Sequence, residues 1–476
     1  MYWEINGGHA RFQKILHPEG KTPPFQNQIN MAQQRPFRFL HTSNLHLGKP
    51  VTGVEELPAH LLKRFVDAPK ITAERIFHAA MTEKVDFVLL SGEILDCYQT
   101  GPWGPVFLAE QFEKLNAAGI LVFWAAGKSD SLERWPNELP IPKNVTVFPA
   151  GHIADPLFQK DGFAVARILG ISRSAERQRF RPMEFTPDNT GLFTIAVVPG
   201  KIQPALLNHR GIDFWALGGM SKRHMIHGST ISSVSSVGET GRQPETARTK
   251  KVRDELVRPS VIHYPGTPLA RSFDQTGHYG VSLVTVDEKG KVTVTLIPTS
   301  PIRFLQEEVR LDSATGFHRL KEELRDRMIA HQSLQENYDL MISWLIDGTQ
   351  EQENELRRSK LPDEICEQMR KDFGMDEPYG WTVSVKTAVP ENFPPEYYDQ
   401  ETLLGDYLQK IRQFQNPQAE LPSLEPYLSP ADLASPGKES LTRIDPKQRD
   451  AFLRQAAELG VDLLAPKSKV ASHDGQ

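Results

Sequence analysis

The sequence predicts an α/β protein, with a large domain on a mainly parallel sheet followed by a smaller α+β unit. Three observations carry this reading. Five short apolar runs, at residues 37–40, 87–90, 120–124, 193–198 and 214–217, each stop in a polar, glycine-containing turn. Helical stretches separate the early runs, and strand, helix, strand in succession implies parallel pairing with right-handed crossovers. After residue 298 the composition changes, and shorter strand-like and helix-like segments follow.

Runs of four to six apolar, β-branched or aromatic residues bounded by glycine fit strands covered on both faces. Parallel strands bring their carboxyl ends to one edge of the sheet, where α/β folds hold ligands. The five turns therefore define the candidate site. Residues 59–84 carry Leu61, Leu62, Phe65, Ile71, Ile76, Phe77, Ala80 and Met81 at spacings that predict helix, broken near Pro69. Residues 105–118 predict another, with Phe107, Leu108, Phe112 and Leu115 on one side. Residues 281–286 and 292–296 flank Asp287-Glu288-Lys289-Gly290 and read as a hairpin.

Past residue 298, strands are expected at 302–311, 338–346 and 381–386, with helices at 314–330 and around Pro362 at 350–373. The domain boundaries follow. Residues 1–35 form an extension without periodicity, 36–300 the main domain and 301–388 the smaller unit. Residues 389–476 form a proline-rich linker with helical pieces at 401–414 and 444–464. Met31, six residues before Phe37, is an alternative start. Residues 227–259, rich in serine, glycine and charge, read as an inserted loop beside the fifth turn.

The chain has 476 residues, enough for two or three domains and a sizeable core. No stretch approaches the ~20 apolar residues of a membrane-spanning helix, and no apolar signal segment opens the chain. Two cysteines, Cys97 and Cys366, exclude a disulfide framework and a thiolate zinc cluster. A cytoplasmic address is expected. The net charge of -5 gives no whole-protein attraction to nucleic acid, so DNA binding would need a local basic face. Between Arg242 and Arg258 six basic residues face three acidic ones. Lys250, Lys251 and Arg253 are candidate phosphate contacts there, unless the run is only solvated.

The turns, together with YPGTPLARSF at residues 264–273, resemble the calcineurin-like metallophosphoesterase superfamily, in its bacterial DNA-repair exonuclease branch of the SbcD/YhaO type. The resemblance covers residues 36–310 by motif. It implies a β-sandwich of two mixed sheets flanked by helices, with a C-terminal capping domain. It also implies phosphodiester hydrolysis of duplex DNA alongside a coiled-coil ATPase of the SbcC/YhaN type. The family holds two metal ions, usually manganese, iron or zinc, about 3.5–4 Å apart, where they activate water and clamp the phosphate.

The positions that match the family's ligands are Asn44, His46, Glu93, Lys128, Pro199, Gly219 and Ser221, and Ser129 stands at the catalytic histidine position. Only His46 is unchanged, and Glu93 lengthens an aspartate by one methylene. An ammonium about 4 Å from a dication costs on the order of 8 kcal/mol at an effective dielectric near 20, so Lys128 argues against a metal there. The expectation is that Lys128 pairs with Glu93 or Asp130 in place of metal, or else points into solvent. Ser129 does not titrate near neutral pH and cannot replace histidine as a proton donor.

His46 reads as a hydrogen-bonded relic or a ligand. His224 and His227 share a helix face or lie on an exposed loop. Asp96 caps the next segment or serves chemistry, and Arg271 packs its motif against the sheet or contacts phosphate. The resulting expectation is a catalytically impaired binding or scaffold subunit without a cofactor. The alternative is an active exonuclease or phosphodiesterase with one manganese or another divalent ion.

Overall fold

Each of the five apolar runs is a strand, and the residues of each alternate between two buried faces. The computed structural model describes residues 35–464, apart from 55–56, 174–179, 187–189, 208–210, 228–259, 312–316, 334–337, 388–392, 394, 417, 423–425 and 427–448. The extension before residue 35, most of the insertion and the tail after 464 thus lie outside the described residues.

Strands β1 (Phe37–Thr42), β2 (Phe87–Ser91), β3 (Leu121–Ala125) and β4 (Val145–Val147) run parallel. A second sheet contains β5 (Leu157–Lys160), β6 (Phe163–Gly170), β7 (Phe193–Val198), β8 (Phe214–Leu217), β9 (His224–His227) and β10 (Val261–Tyr264). Its order is β5-β6-β7-β8-β10-β9, parallel in the middle and antiparallel at both edges. The expected hairpin, β11 (Gly280–Val286) and β12 (Val292–Pro298), returns to the first sheet beside β1. The five runs are thus divided three and two between sheets, and their carboxyl ends meet across the sandwich.

Period-two patterning explains the layers. Phe37 and Phe39, Phe87 and Leu89, Phe193 and Ile195, and Phe214 and Ala216 all point into the space between the sheets. Leu40, Val88 and Leu90 face the helices on one outer side, while Ala196, Val198, Trp215 and Leu217 face the other. The inter-sheet core is aromatic, with the Phe39 and Phe87 rings stacked at 4.9 Å and Phe214 edge-on to Phe39 at 5.4 Å.

The first long helix, α1 (Ala59–Thr82), is continuous through Pro69, contrary to the expected break. Proline there removes one helical hydrogen bond and costs about 3 kcal/mol. Burial of Leu61, Phe65, Ile76 and Phe77 stabilises by about 1.5–3 kcal/mol each and outweighs it. The four-residue helix α2 (Cys97–Thr100) and the longer α3 (Trp103–Ala117) follow.

The smaller unit has a three-stranded sheet, β13 (Ile302–Arg310), β14 (Asp339–Asp347) and β15 (Gly380–Thr387). All three are parallel, so α4 (His318–Gln332), α5 (Gln350–Arg358) and α6 (Leu361–Phe373) serve as crossovers, a more strictly wound unit than expected. Leu340, Ile342 and Trp344 face those helices, whereas Met341 and Trp381 pack on Leu61 and Phe65 of α1. Arg64 reinforces this junction, donating to Asp339 at 3.1 Å. Further on, α7 (Pro395–Tyr398), α8 (Leu403–Gln415) and α9 (Arg449–Leu464) share a small apolar cluster. No helix among the described residues is long and apolar enough to cross a membrane.

A polar chain crosses the aromatic core where the sheets meet. His41 Nδ1 and His263 Nδ1 lie 2.8 Å apart, His41 Nε2 is 2.8 Å from Ser91 Oγ, and His263 Nε2 is 3.1 Å from Ser282 Oγ. One proton arrangement satisfies every atom. Ser282 donates to His263, His263 donates to His41, His41 donates to Ser91, and Ser91 donates to the Thr42 carbonyl. Both imidazoles are therefore neutral, and burial pushes His41 well below the usual histidine range and His263 down to about 3.

An unfolded histidine takes up its proton near pH 6.5, which the folded pair refuses, so this contribution to stability is present above that pH and is lost as pH falls toward 3. Between pH 7 and pH 5 the His263 share is on the order of 2 kcal/mol. Urea unfolding at the two pH values should show a smaller acid loss in His263→Gln than in the wild type. Equal losses would contradict a neutral buried pair.

Candidate functional site

Backbone pairing between β1 and β2 continues past the strands and sets the first two turns side by side. The amides of Asn44, His46 and Leu47 donate to the carbonyls of Gly92, Glu93 and Ile94 at 2.9–3.0 Å. Asn44, His46 and Glu93 all have positive φ, at 53°, 46° and 58°. Side chains rarely take that conformation, and it persists where the surroundings over-determine it, as functional sites commonly do.

Those surroundings are visible. Arg271 is buried and donates to the carbonyls of Leu45 (2.6 Å), Lys49 and Pro50 (3.2 Å). Its guanidinium is spent on holding the first turn, so of the two readings of Arg271 the packing one describes its contacts. Asn44 Nδ2 donates to the Met220 carbonyl at 2.8 Å, tying the first turn to the fifth.

Asp130 is fully enclosed and joins the second turn to the third. Its carboxylate accepts from the amides of Glu93 (3.1 Å), Ile94 (3.0 Å) and Gly127 (2.6 Å) and from the Trp124 indole (3.1 Å). Burial raises its pKa to about 6, against the pull of these donors.

Glu93 is held in turn by the third loop. The Lys128 amide donates to it at 2.8 Å, the Ser129 amide at 3.2 Å and the Ser129 hydroxyl at 2.5 Å. Burial raises the Glu93 pKa, but these donors and nearby His46 outweigh it and leave the carboxyl below its ordinary range. Lys128 is exposed, and among the described residues its ammonium makes no ion pair with Glu93 or Asp130. The expected charge pairing is therefore corrected: the backbone and Ser129 hold Glu93, and the lysine side chain is directed into solvent.

The remaining turns close the space from the other sheet. Pro199 lies directly against Gly92, and the Ser91 carbonyl approaches Gly218 so closely that neither glycine has room for a Cβ. Gly219, also at positive φ, packs against Gly200 and Lys201.

His46 is half-buried without a side-chain hydrogen bond among the described residues, and burial lowers its pKa while Glu93 opposes the shift. Asp96 caps α2, accepting from the amides of Tyr98 and Gln99. His224 and His227 lie on β9, a strand, so their three-residue spacing puts them on opposite faces and not on one helix face. Lys250, Lys251 and Arg253 lie outside the described residues. The His41–His263 chain behind the turns had no sequence signal beyond single histidines inside apolar runs.

A two-metal centre needs a bridging carboxylate and several neutral nitrogen or oxygen donors. The residues present do not fit that set. Lys128, Pro199 and Gly219 offer no neutral side-chain donor, Asn44 turns its amide nitrogen to Met220, and both Glu93 oxygens are engaged. Among the described residues no three His, Cys, Asp or Glu side chains are grouped to hold a metal.

No protein-family model matches the chain. It is 28% identical over 261 residues to an uncharacterized metallophosphoesterase, YhaO, of Bacillus subtilis, a match covering 52% of this chain and 57% of that protein. Fold and similarity together support the metallophosphoesterase superfamily. The chain thus spans little more than half the length of this relative.

The geometry separates two neighbouring side chains by their cost. Ser129→Ala removes a charge-assisted hydrogen bond and is expected to destabilise by about 1.5–3 kcal/mol in denaturant unfolding. Lys128→Ala should change stability by less than about 0.5 kcal/mol. The reverse ranking would restore the lysine as the partner of Glu93.

Proposed function

We propose that this chain is a metallophosphoesterase-fold protein of the DNA-repair exonuclease type whose own hydrolysis is impaired. It acts as a binding and scaffold subunit with a coiled-coil ATPase of the SbcC/YhaN kind. The observation that carries the reading is the engagement of Glu93 by Ser129 and two backbone amides, beside positions where lysine, proline and glycine replace donors. A carboxylate so satisfied gives up three hydrogen bonds before it can bridge ions. The cofactor expectation follows, with no resident metal required for the binding role.

Exposed apolar side chains on the C-terminal helices support the partner half of the proposal. Leu459 and Leu463 of α9 and Leu403 of α8 are 58%, 73% and 70% exposed, although the same helices bury Leu404, Leu408 and Leu453 against each other.

A second reading is favoured by one observation: the His46 side chain, free of hydrogen bonds among the described residues, lies near Glu93, and the two would serve as ligands of one divalent ion. Manganese-dependent cleavage of linear duplex DNA and of a chromogenic phosphodiester separates the two. The binding-subunit reading expects turnover at background level, unchanged by Glu93→Ala. Turnover that depends on manganese and disappears in that variant would establish the single-metal enzyme.

A further inference from the structure

A small cationic notch opens beside the fifth turn, on the flank where it meets β11 and β12. Its cavity is about 120 Å³ and is bordered by Lys222, Arg223, Thr276, His278 and Tyr279. No acidic side chain lines it. Lys222 and Arg223 form no ion pair among the described residues, and the one hydrogen bond of Arg223 there goes to the Val294 carbonyl at 3.3 Å. Partial burial lowers the Arg223 pKa. Two adjacent exposed cations over a notch with no acidic lining side chain attract an anionic ligand.

The notch belongs to a wider charge pattern. The first, third, fourth and fifth turns carry exposed Lys49, Lys128, Lys201 and Lys222 with Arg223. The acids on the same edge are otherwise engaged: Glu93 by Ser129, Asp96 as a helix cap and Asp130 inside the loops. These three carboxylates keep their charge but are outnumbered by the five cations, so the edge carries a local excess of positive charge although the whole chain carries a net charge of -5.

We infer that the Lys222–Arg223–His278 notch is a phosphate-binding site, and that this edge holds phosphoester ligands by side-chain cations and not through metal ions. The inference rests on the reading of the chain as a binding subunit and deepens it by naming where the phosphate is held. A guanidinium beside an ammonium suits a phosphate oxygen pair. The same chemistry admits a nucleic-acid backbone or a free phosphate compound as the source.

The test compares the full-length wild type with Lys222→Ala/Arg223→Gln. Both residues are exposed, so an unchanged melting temperature verifies folding of the variant. Binding of a short duplex DNA is measured across a salt series, and binding of inorganic phosphate and of a mononucleotide by calorimetry. If DNA is the source, the variant should bind it on the order of tenfold more weakly at 0.1 M salt, with a salt slope smaller by about 2. If a free phosphate compound is the source, the variant should lose its binding heat while DNA behaves as in the wild type. Unchanged binding of every probe would overturn the site yet leave the binding-subunit reading standing wherever DNA is still held. A wild type that binds none of them would overturn both.

Discussion

A carboxylate shut away from water has to be satisfied by protein donors, and Asp130 meets that requirement with four of them from two different turns. The residues that give those donors thereby lose their freedom to move. Gly127 and Trp124 belong to the third strand and its turn, and Glu93 and Ile94 to the second. The positive φ of Glu93 follows from this stitching, because its amide must face Asp130 while its carbonyl accepts from His46. With that geometry set, the Glu93 side chain meets the amides of Lys128 and Ser129 and the hydroxyl of Ser129. The local arrangement therefore satisfies its own charge.

The fold supplies the rest of the enclosure. Parallel pairing within each sheet brings four carboxyl ends from one sheet and four from the other toward a common edge. Arg271 anchors the first turn from outside, and Pro199 closes against Gly92 from the second sheet. The buried His41–His263 chain crosses just behind, so the two sheets are joined by matched polar atoms as well as by phenylalanine packing. This scaffold holds Asn44, His46 and Glu93 at positive φ, and under the proposed function that geometry serves binding and not metal ligation.

Much of the architecture was legible in the sequence. Runs such as FTIAVV and FWAL declare strands because every residue finds an apolar neighbour on one face or the other. Edge strands β5 and β9 were not legible, since LFQK and HMIH are mostly exposed and carry little pattern. Pro69 misled because apolar spacing shows which residues share a face but not how deeply they are buried, and the burial of Leu61, Phe65, Ile76 and Phe77 is what carries α1 through the proline. At the site, the positions were readable and the contacts were not. Lysine and serine are adjacent, but only the backbone course decides that the serine hydroxyl and both amides turn toward Glu93 while the ammonium turns away. Histidines 222 residues apart could not be paired from a single chain.

The central claim is that the five turns satisfy their charges with protein donors and leave no place for a pair of ions. Anomalous diffraction at the manganese edge, from crystals grown in manganese, addresses it most directly. The account predicts no peak among the turns, with Glu93 still accepting from Ser129. Two peaks about 3.5–4 Å apart, with Glu93 and His46 turned toward them, would contradict it.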